Sequence, residues 1–171
     1  MIIWITGLAG AGKTTIATAV YHEIKNIYPN TVFLDGDILR EVLGVYGYSY
    51  DERYIQAEKI HNLCKMLDNQ DINVVCATIG SFHRIQERNR ASFNKYCEIY
   101  IEVTMENLIK RDKKRLYSRA LIGETINVVG VDIKPEVPKN PELIVDNNTL
   151  DCLEHKVEDI LNYLRDNQYI L

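Results

Sequence analysis

Five short apolar runs punctuate the chain, and between most of them hydrophobic residues recur every three or four positions. Ile2-Ile3-Trp4-Ile5, Thr31-Val32-Phe33-Leu34, the run 72–77, the run 98–103 and the run 142–146 read as strands. Ile16, Val20, Ile24 and Ile27 keep helical spacing after the first run. Leu150, Leu153, Val157, Ile160, Leu161 and Leu164 do the same near the end, with Thr149 placed near the start of that helix. Strands alternating with helices predict an α/β fold of three layers, with a mostly parallel five-stranded sheet covered on both sides. Pro135 to Pro141 reads as a loop feeding the last strand, and no internal repeat or low-complexity segment interrupts the pattern.

The junction between the first strand and the first helix carries the most specific chemistry. Gly7-Leu8-Ala9-Gly10-Ala11-Gly12-Lys13-Thr14 spells G-x-x-x-x-G-K-T, a P-loop whose backbone N–H groups converge on phosphate oxygens. Phosphates held there lie at a helix N-terminus, Lys13 reaches the β and γ groups, and the Thr14 hydroxyl is placed to ligand Mg²⁺. ATP and Mg²⁺ are therefore the expected cofactors.

Composition narrows the rest. A chain of 171 residues suits a single domain spanning 1–171, and a net charge of -4 argues against nucleic acid as a partner. The cysteines at 64, 76, 97 and 152 lack paired metal-ligand spacing, and three fall in apolar stretches where buried thiols are ordinary packing. The first strand begins almost at Met1 and no apolar run is long enough for a bilayer, so a cytoplasmic protein with no membrane partner is expected.

Two segments break the regular pattern. Lys110, Arg111, Lys113, Lys114, Arg115 and Arg119 form a basic block after the fourth strand, where a segment can close over a triphosphate as a lid covering about 110–135. Tyr46, Tyr48, Tyr50 and Tyr54 are interleaved with glycines, suited either to stacking on a base or to ordinary packing. In the Asp35-Gly36-Asp37 bend, Asp37 is the carboxylate expected to orient or deprotonate an acceptor hydroxyl, and Asp35 is expected to hold the loop or a Mg²⁺-bound water.

These motifs together resemble the adenylylsulfate kinases, which transfer the ATP γ-phosphoryl to the ribose 3′-hydroxyl of adenosine 5′-phosphosulfate. The resemblance runs through the P-loop, Leu34-Asp35-Gly36-Asp37-x-x-Arg40, Gly47-Tyr48-Ser49 with Arg53, and Arg111-Asp112-x-Lys114-x-Leu116-Tyr117. It continues to Gly123-Glu124, Gly130-x-Asp132 and Pro141-Glu142-Leu143, covering nearly the whole chain. It implies a P-loop kinase fold with a lid, and a homodimer. It also implies catalytic roles for Asp37, Lys13 and the lid lysine Lys114. Gly7, Gly10, Ala11, Gly12, Lys13, Thr14, Thr15 and Arg111 would bind the cofactor. Asp35, Arg40, Tyr48, Arg53, Gln56, Ser81, Lys114 and Val128 would meet a small-molecule nucleotide acceptor.

The departures from the family pattern concern the acceptor end. Gln56-Ala57-Glu58-Lys59 stands where the family has Asn-Ile-Arg-Arg, and Ser81-Phe82-His83-Arg84 where it has Ser-Pro-Tyr-Arg. Val128 replaces an aromatic residue that stacks on the acceptor adenine, leaving Tyr48 in place of the usual phenylalanine as the other wall. Less stacking surface and fewer cationic contacts favour cytidine diphosphoramidate, the acceptor of a relative in capsule phosphoramidate synthesis, over adenosine 5′-phosphosulfate. A small-metabolite kinase and a regulatory nucleotide switch are the other readings. The switch lacks an Asn-Lys-x-Asp guanine-reading sequence and leaves the acceptor arginines without a task.

Overall fold

The computed structural model describes residues 1–80, 82–112 and 115–171. Its strands are β1 (Ile2–Thr6), β2 (Thr31–Asp35), β3 (Asn73–Thr78), β4 (Tyr96–Glu102) and β5 (Leu143–Asp146). They form one sheet in the order β2-β3-β1-β4-β5, with every neighbouring pair parallel. Each apolar run has become a strand, its ends displaced by at most one or two residues.

Seven helices are described: α1 (Lys13–Ile27), α2 (Gly36–Val42), α3 (Tyr50–Asp68), α4 (His83–Ser92), α5 (Met105–Arg111), α6 (Leu116–Leu121) and α7 (Leu153–Asp166). Successive strand residues point to opposite faces, so β1 serves two cores at once. Ile3 and Ile5 pack with Ile16, Val20 and Ile24 of α1 and Val157, Ile160 and Leu164 of α7. Ile2 and Trp4 pack with Ile60 and Cys64 of α3 and Ile85 of α4. Both faces are covered, which is why β1 is apolar from Ile2 to Ile5 rather than alternating.

The cysteines at 64, 76 and 97 are buried and that at 152 is exposed. No described helix is long and apolar enough to cross a membrane.

The last helix departs from expectation. It begins at Leu153 rather than near Thr149, and Leu150 is 68% exposed instead of joining the buried face. Lys156 explains the delay: its ammonium donates to the carbonyls of Thr149 and Asp151 and to Asn147 Oδ1, holding the preceding residues as a loop. Cys152, with φ 54°, then turns the chain into α7. Ile27, expected on the buried stripe of α1, is its last residue and is exposed.

Candidate active site

The C-terminal ends of β1, β2 and β3 open into a cleft of about 570 Å³. Parallel sheets place ligands at such ends, beside the strand where the chain's path changes direction across the sheet. Here that strand is β1, between β3 and β4.

One end of the cleft is the glycine-rich loop. Gly12 has φ 95°, and a β-carbon there would stand 2.5 Å from Asn147 Nδ2. That same amide donates to Ala11 O at 2.7 Å, so the turn needs glycine both for its conformation and for the close approach of β5's outgoing loop. Tyr117 of α6 donates its hydroxyl proton to Ala9 O at 2.8 Å, and Lys13 Nζ donates to Leu8 O at 2.7 Å. The loop is held from outside by these side chains, leaving main-chain N–H groups at the N-terminus of α1 for an anion.

Lys13 is the pivotal charge. Burial pulls its pKa down to about 8, against the opposing pull of Asp37 and Asp35. The Thr14 hydroxyl donates to Asp35 Oδ2 at 2.8 Å, while Asp35 Oδ1 accepts the Asp37 and Ile38 N–H groups and caps α2. This cap sets Asp37 on the first turn of α2, lining the cleft, with its carboxylate bonded to no described residue.

Among the described residues no group of three or more His, Cys, Asp or Glu is placed to cage a metal. Thr14 with Asp35 behind it suits Mg²⁺ of the kind that arrives with phosphates, keeps several waters and takes few protein ligands. Arg111 does not line the cleft. Its Nη2 donates to Asn147 O and Asn148 O, and its Nη1 is buried with no hydrogen-bond partner among the described residues.

The other end is cationic. Arg40, buried, donates to Val45 O and Gly47 O and lies 4.4 Å from the centroid of the Tyr48 ring. Arg53 lies 5.2 Å from the same centroid and donates to Tyr48 O and Asn127 O, both at 2.8 Å. Neither guanidinium has a carboxylate within ion-pair distance among the described residues. Burial lowers both pKa values, and the charge on Arg40 lowers that of Arg53 further. A buried and a half-buried guanidinium that repel each other in an open cleft favour an anion between them.

Val128 is 3% exposed and forms part of the wall. Tyr50 and Tyr54 pack edge-on against Phe82, whereas Tyr46 is 74% exposed. Of the tyrosine cluster, then, Tyr48 and Tyr50 line the cleft.

Gln56 lines the cleft too, its Nε2 donating to Gly36 O at 2.6 Å and tying α3 to the start of α2. The expected charge reversal at this segment is corrected by the helix geometry. Glu58 pairs with Arg88 of α4 at 3.4 Å, and Lys59 donates to Leu43 O, so neither side chain faces the acceptor. The turn of α3 that sends Arg53, Gln56 and Ala57 inward rotates residues 58 and 59 away.

The basic block also disperses. Lys110 pairs with Glu106 and Arg119 with Glu124, each on its own surface. Ser81 and Lys114 lie outside the described residues.

Sequence reasoning missed the supports. Tyr117 and Asp132 sit inside quoted motifs, and their roles follow only from the fold. Asp132 accepts the Asn127 and Val128 N–H groups at 2.5 and 2.6 Å, shaping the wall that carries Val128. Asn147 carried no local signal. Ser49-x-x-Glu52 did: it is a capping box that starts α3 and fixes where Arg53 and Gln56 fall.

A model of the adenylylsulphate kinase family matches residues 1–146. The chain belongs to that family. Among its relatives, the cytidine diphosphoramidate kinase of Campylobacter jejuni subsp. jejuni serotype O:2 is 47% identical over 163 residues, 95% of each chain. The adenylyl-sulfate kinase of Oceanobacillus iheyensis is 31% identical over 172 residues, covering 99% of this chain and 86% of its own. The fold matches that of the Mycobacterium tuberculosis APS kinase in complex with AMPPNP and APS, with a TM-score of 0.84 at 24% identity over 96% of both chains. Like other members of the adenylylsulphate kinase family, the protein is a phosphotransferase built on a P-loop.

Proposed function

We propose that this kinase transfers the γ-phosphoryl of ATP to the ribose 3′-hydroxyl of a nucleotide, and that the nucleotide is cytidine diphosphoramidate. The observation that carries the nucleotide reading is the pair Arg40 and Arg53, uncompensated beside Tyr48, in the same cleft as Lys13 and Asp37. A sugar acid offers one carboxylate to two such cations, where a nucleotide's phosphates offer more, and a switch needs neither an acceptor site nor a carboxylate beside it.

In this reading the N–H groups of Gly10, Ala11, Gly12, Lys13, Thr14 and Thr15 cradle the phosphates, with Gly7 shaping the turn. Lys13 stabilises charge on the transferring group, and Thr14, backed by Asp35, holds Mg²⁺, which neutralises the β and γ oxygens when bound. Arg111 offers its free N–H to the ATP nucleoside. Asp37, bonded to no described residue, accepts the acceptor hydroxyl's proton. Arg40 and Arg53 hold the acceptor phosphates, while Tyr48, Gln56 and Val128 contact its nucleoside. Lys114 and Ser81 complete the charge and acceptor contacts, within a single domain whose lid spans about 110–135. A cytoplasmic homodimer accords with the family.

Two observations support cytidine diphosphoramidate. The relative of that name is 47% identical to this chain, against 31% for an adenylyl-sulfate kinase, and the small Val128 wall suits a pyrimidine. Mass spectrometry of products from ATP, Mg²⁺ and matched concentrations of cytidine diphosphoramidate and adenosine 5′-phosphosulfate tests the assignment, with NMR locating the new phosphate. Efficient use of the phosphosulfate with negligible use of the cytidine compound overturns the acceptor and keeps the kinase.

A further inference from the structure

Beside the arginine pair, one turn isolates a single side chain. Asn127 has φ 65°, the left-handed region that asparagine tolerates better than most residues. Its N–H donates to Asp132 Oδ2 and its carbonyl accepts from Arg53 Nη2, so both main-chain polar groups are fixed by side chains. The same Arg53 donates to Tyr48 O and lies over the Tyr48 ring, and one guanidinium therefore joins Asn127 to Tyr48. The residue lines the cleft next to Val128, and its carboxamide is bonded to no described residue. A half-buried donor and acceptor on a clamped backbone need little reorganisation to bind a ligand.

We propose that the Asn127 carboxamide reads the hydrogen-bonding edge of the acceptor base. Oδ1 accepts from an exocyclic amine, and Nδ2 donates to the unprotonated ring nitrogen beside it. This rests on the nucleotide-acceptor reading above and names the residue that selects a base carrying an exocyclic amine. Cytosine and adenine both present an amine next to such a nitrogen, and the breadth of the wall at Val128 chooses between them. Because valine covers less of a base than an aromatic ring does, edge bonds carry more of the recognition.

Asn127→Gly is the direct test, since glycine adopts φ 65° without strain. The measurement is kcat/KM for cytidine diphosphoramidate against its 4-deamino analogue, which lacks the amine. The wild type should favour the amino form by roughly tenfold to a hundredfold, as for other bidentate amide–base contacts. In Asn127→Gly that ratio should fall close to one, while KM for ATP is unchanged. Asn127→Asp keeps the turn and the oxygen that accepts from the amine but sets a second acceptor against the ring nitrogen, so kcat/KM for both nucleotides should fall by roughly tenfold or more with KM for ATP unchanged, and that fall decides the matter alone if the glycine variant fails to fold. A ratio preserved in folded Asn127→Gly, an unchanged kcat/KM in Asn127→Asp, or a ratio absent from the wild type overturns the proposal. If the wild type uses adenosine 5′-phosphosulfate instead, the cytidine assignment fails separately, and the same ratio against the 6-deamino analogue decides Asn127. Calorimetric binding of neither nucleotide overturns both.

Discussion

In the proposed reading, holding and binding are divided between different groups at the Gly7–Thr14 end of the cleft: Tyr117 and Asn147 brace the loop, and main-chain N–H groups are left for the phosphates. At the Arg40–Arg53 end the same guanidiniums do both, bonding the carbonyls of Val45, Gly47, Tyr48 and Asn127 while presenting charge to the cleft. The first design resists change because its binding groups are backbone. The second leaves its ligand choice to wall side chains such as Val128, and loss of an arginine there removes loop hydrogen bonds as well as charge.

The sharpest test of the phosphate end is Lys13→Ala. It should lower turnover by roughly a thousandfold, the scale of removing one preorganised charge from a transition state, with melting moved by only a few degrees. Near-normal turnover would detach the chemistry from this loop. Asp37→Asn comes next: a fall in kcat on the order of a hundredfold, with ATP affinity unchanged in calorimetry, places the carboxylate at the acceptor hydroxyl. An ATP-affinity loss at constant kcat moves Asp37 to the cofactor side.

Arg53→Ala probes the double duty. Acceptor KM should rise about tenfold to a hundredfold and the melting temperature should fall in the same variant, since a charge-assisted contact and two loop bonds go together. A variant with normal melting and a raised KM would show that holding and binding are separable here too. Val128→Phe should shift the kcat/KM ratio about tenfold toward adenosine 5′-phosphosulfate by adding a stacking face.

The smallest effect is a pH dependence. Free Lys13 titrates at about 8 because burial disfavours its charge, and bound phosphates favour the charged form, so its pKa rises on binding. ATP affinity is then nearly full at pH 7 and falls as pH rises through 8, by about three- to fourfold between pH 7 and 8.5. Calorimetry near pH 8 in buffers of different ionisation enthalpy should record proton uptake. Lys13→Arg should flatten the slope.

How much was legible follows the same division. The phosphate end is eight consecutive residues, so spacing alone conveys its chemistry, and the doubly covered sheet follows from runs such as Ile2–Ile5. The acceptor end is assembled from α2, α3 and the turn before Asp132, and which side of α3 faces inward is a three-dimensional fact. Gln56 and Glu58 are two positions apart, yet one lines the cleft and the other pairs with Arg88. The start of α7 was misplaced for a related reason: Lys156 reaches back to carbonyls that local propensity treats as helix-ready.

Asn147 gives the chain a chronology. The glycine loop leaves the ribosome well before the amide that braces Ala11 O, which lies 136 positions later, just beyond β5. Arg111 and Lys156 in turn grip Asn147, so the brace is itself set only once α5 and α7 have formed around it. A nascent chain can therefore display the complete phosphate motif long before it owns a finished phosphate site. Nucleotide protection against proteolysis should appear late in synthesis, after α7 has emerged, and not when the motif does.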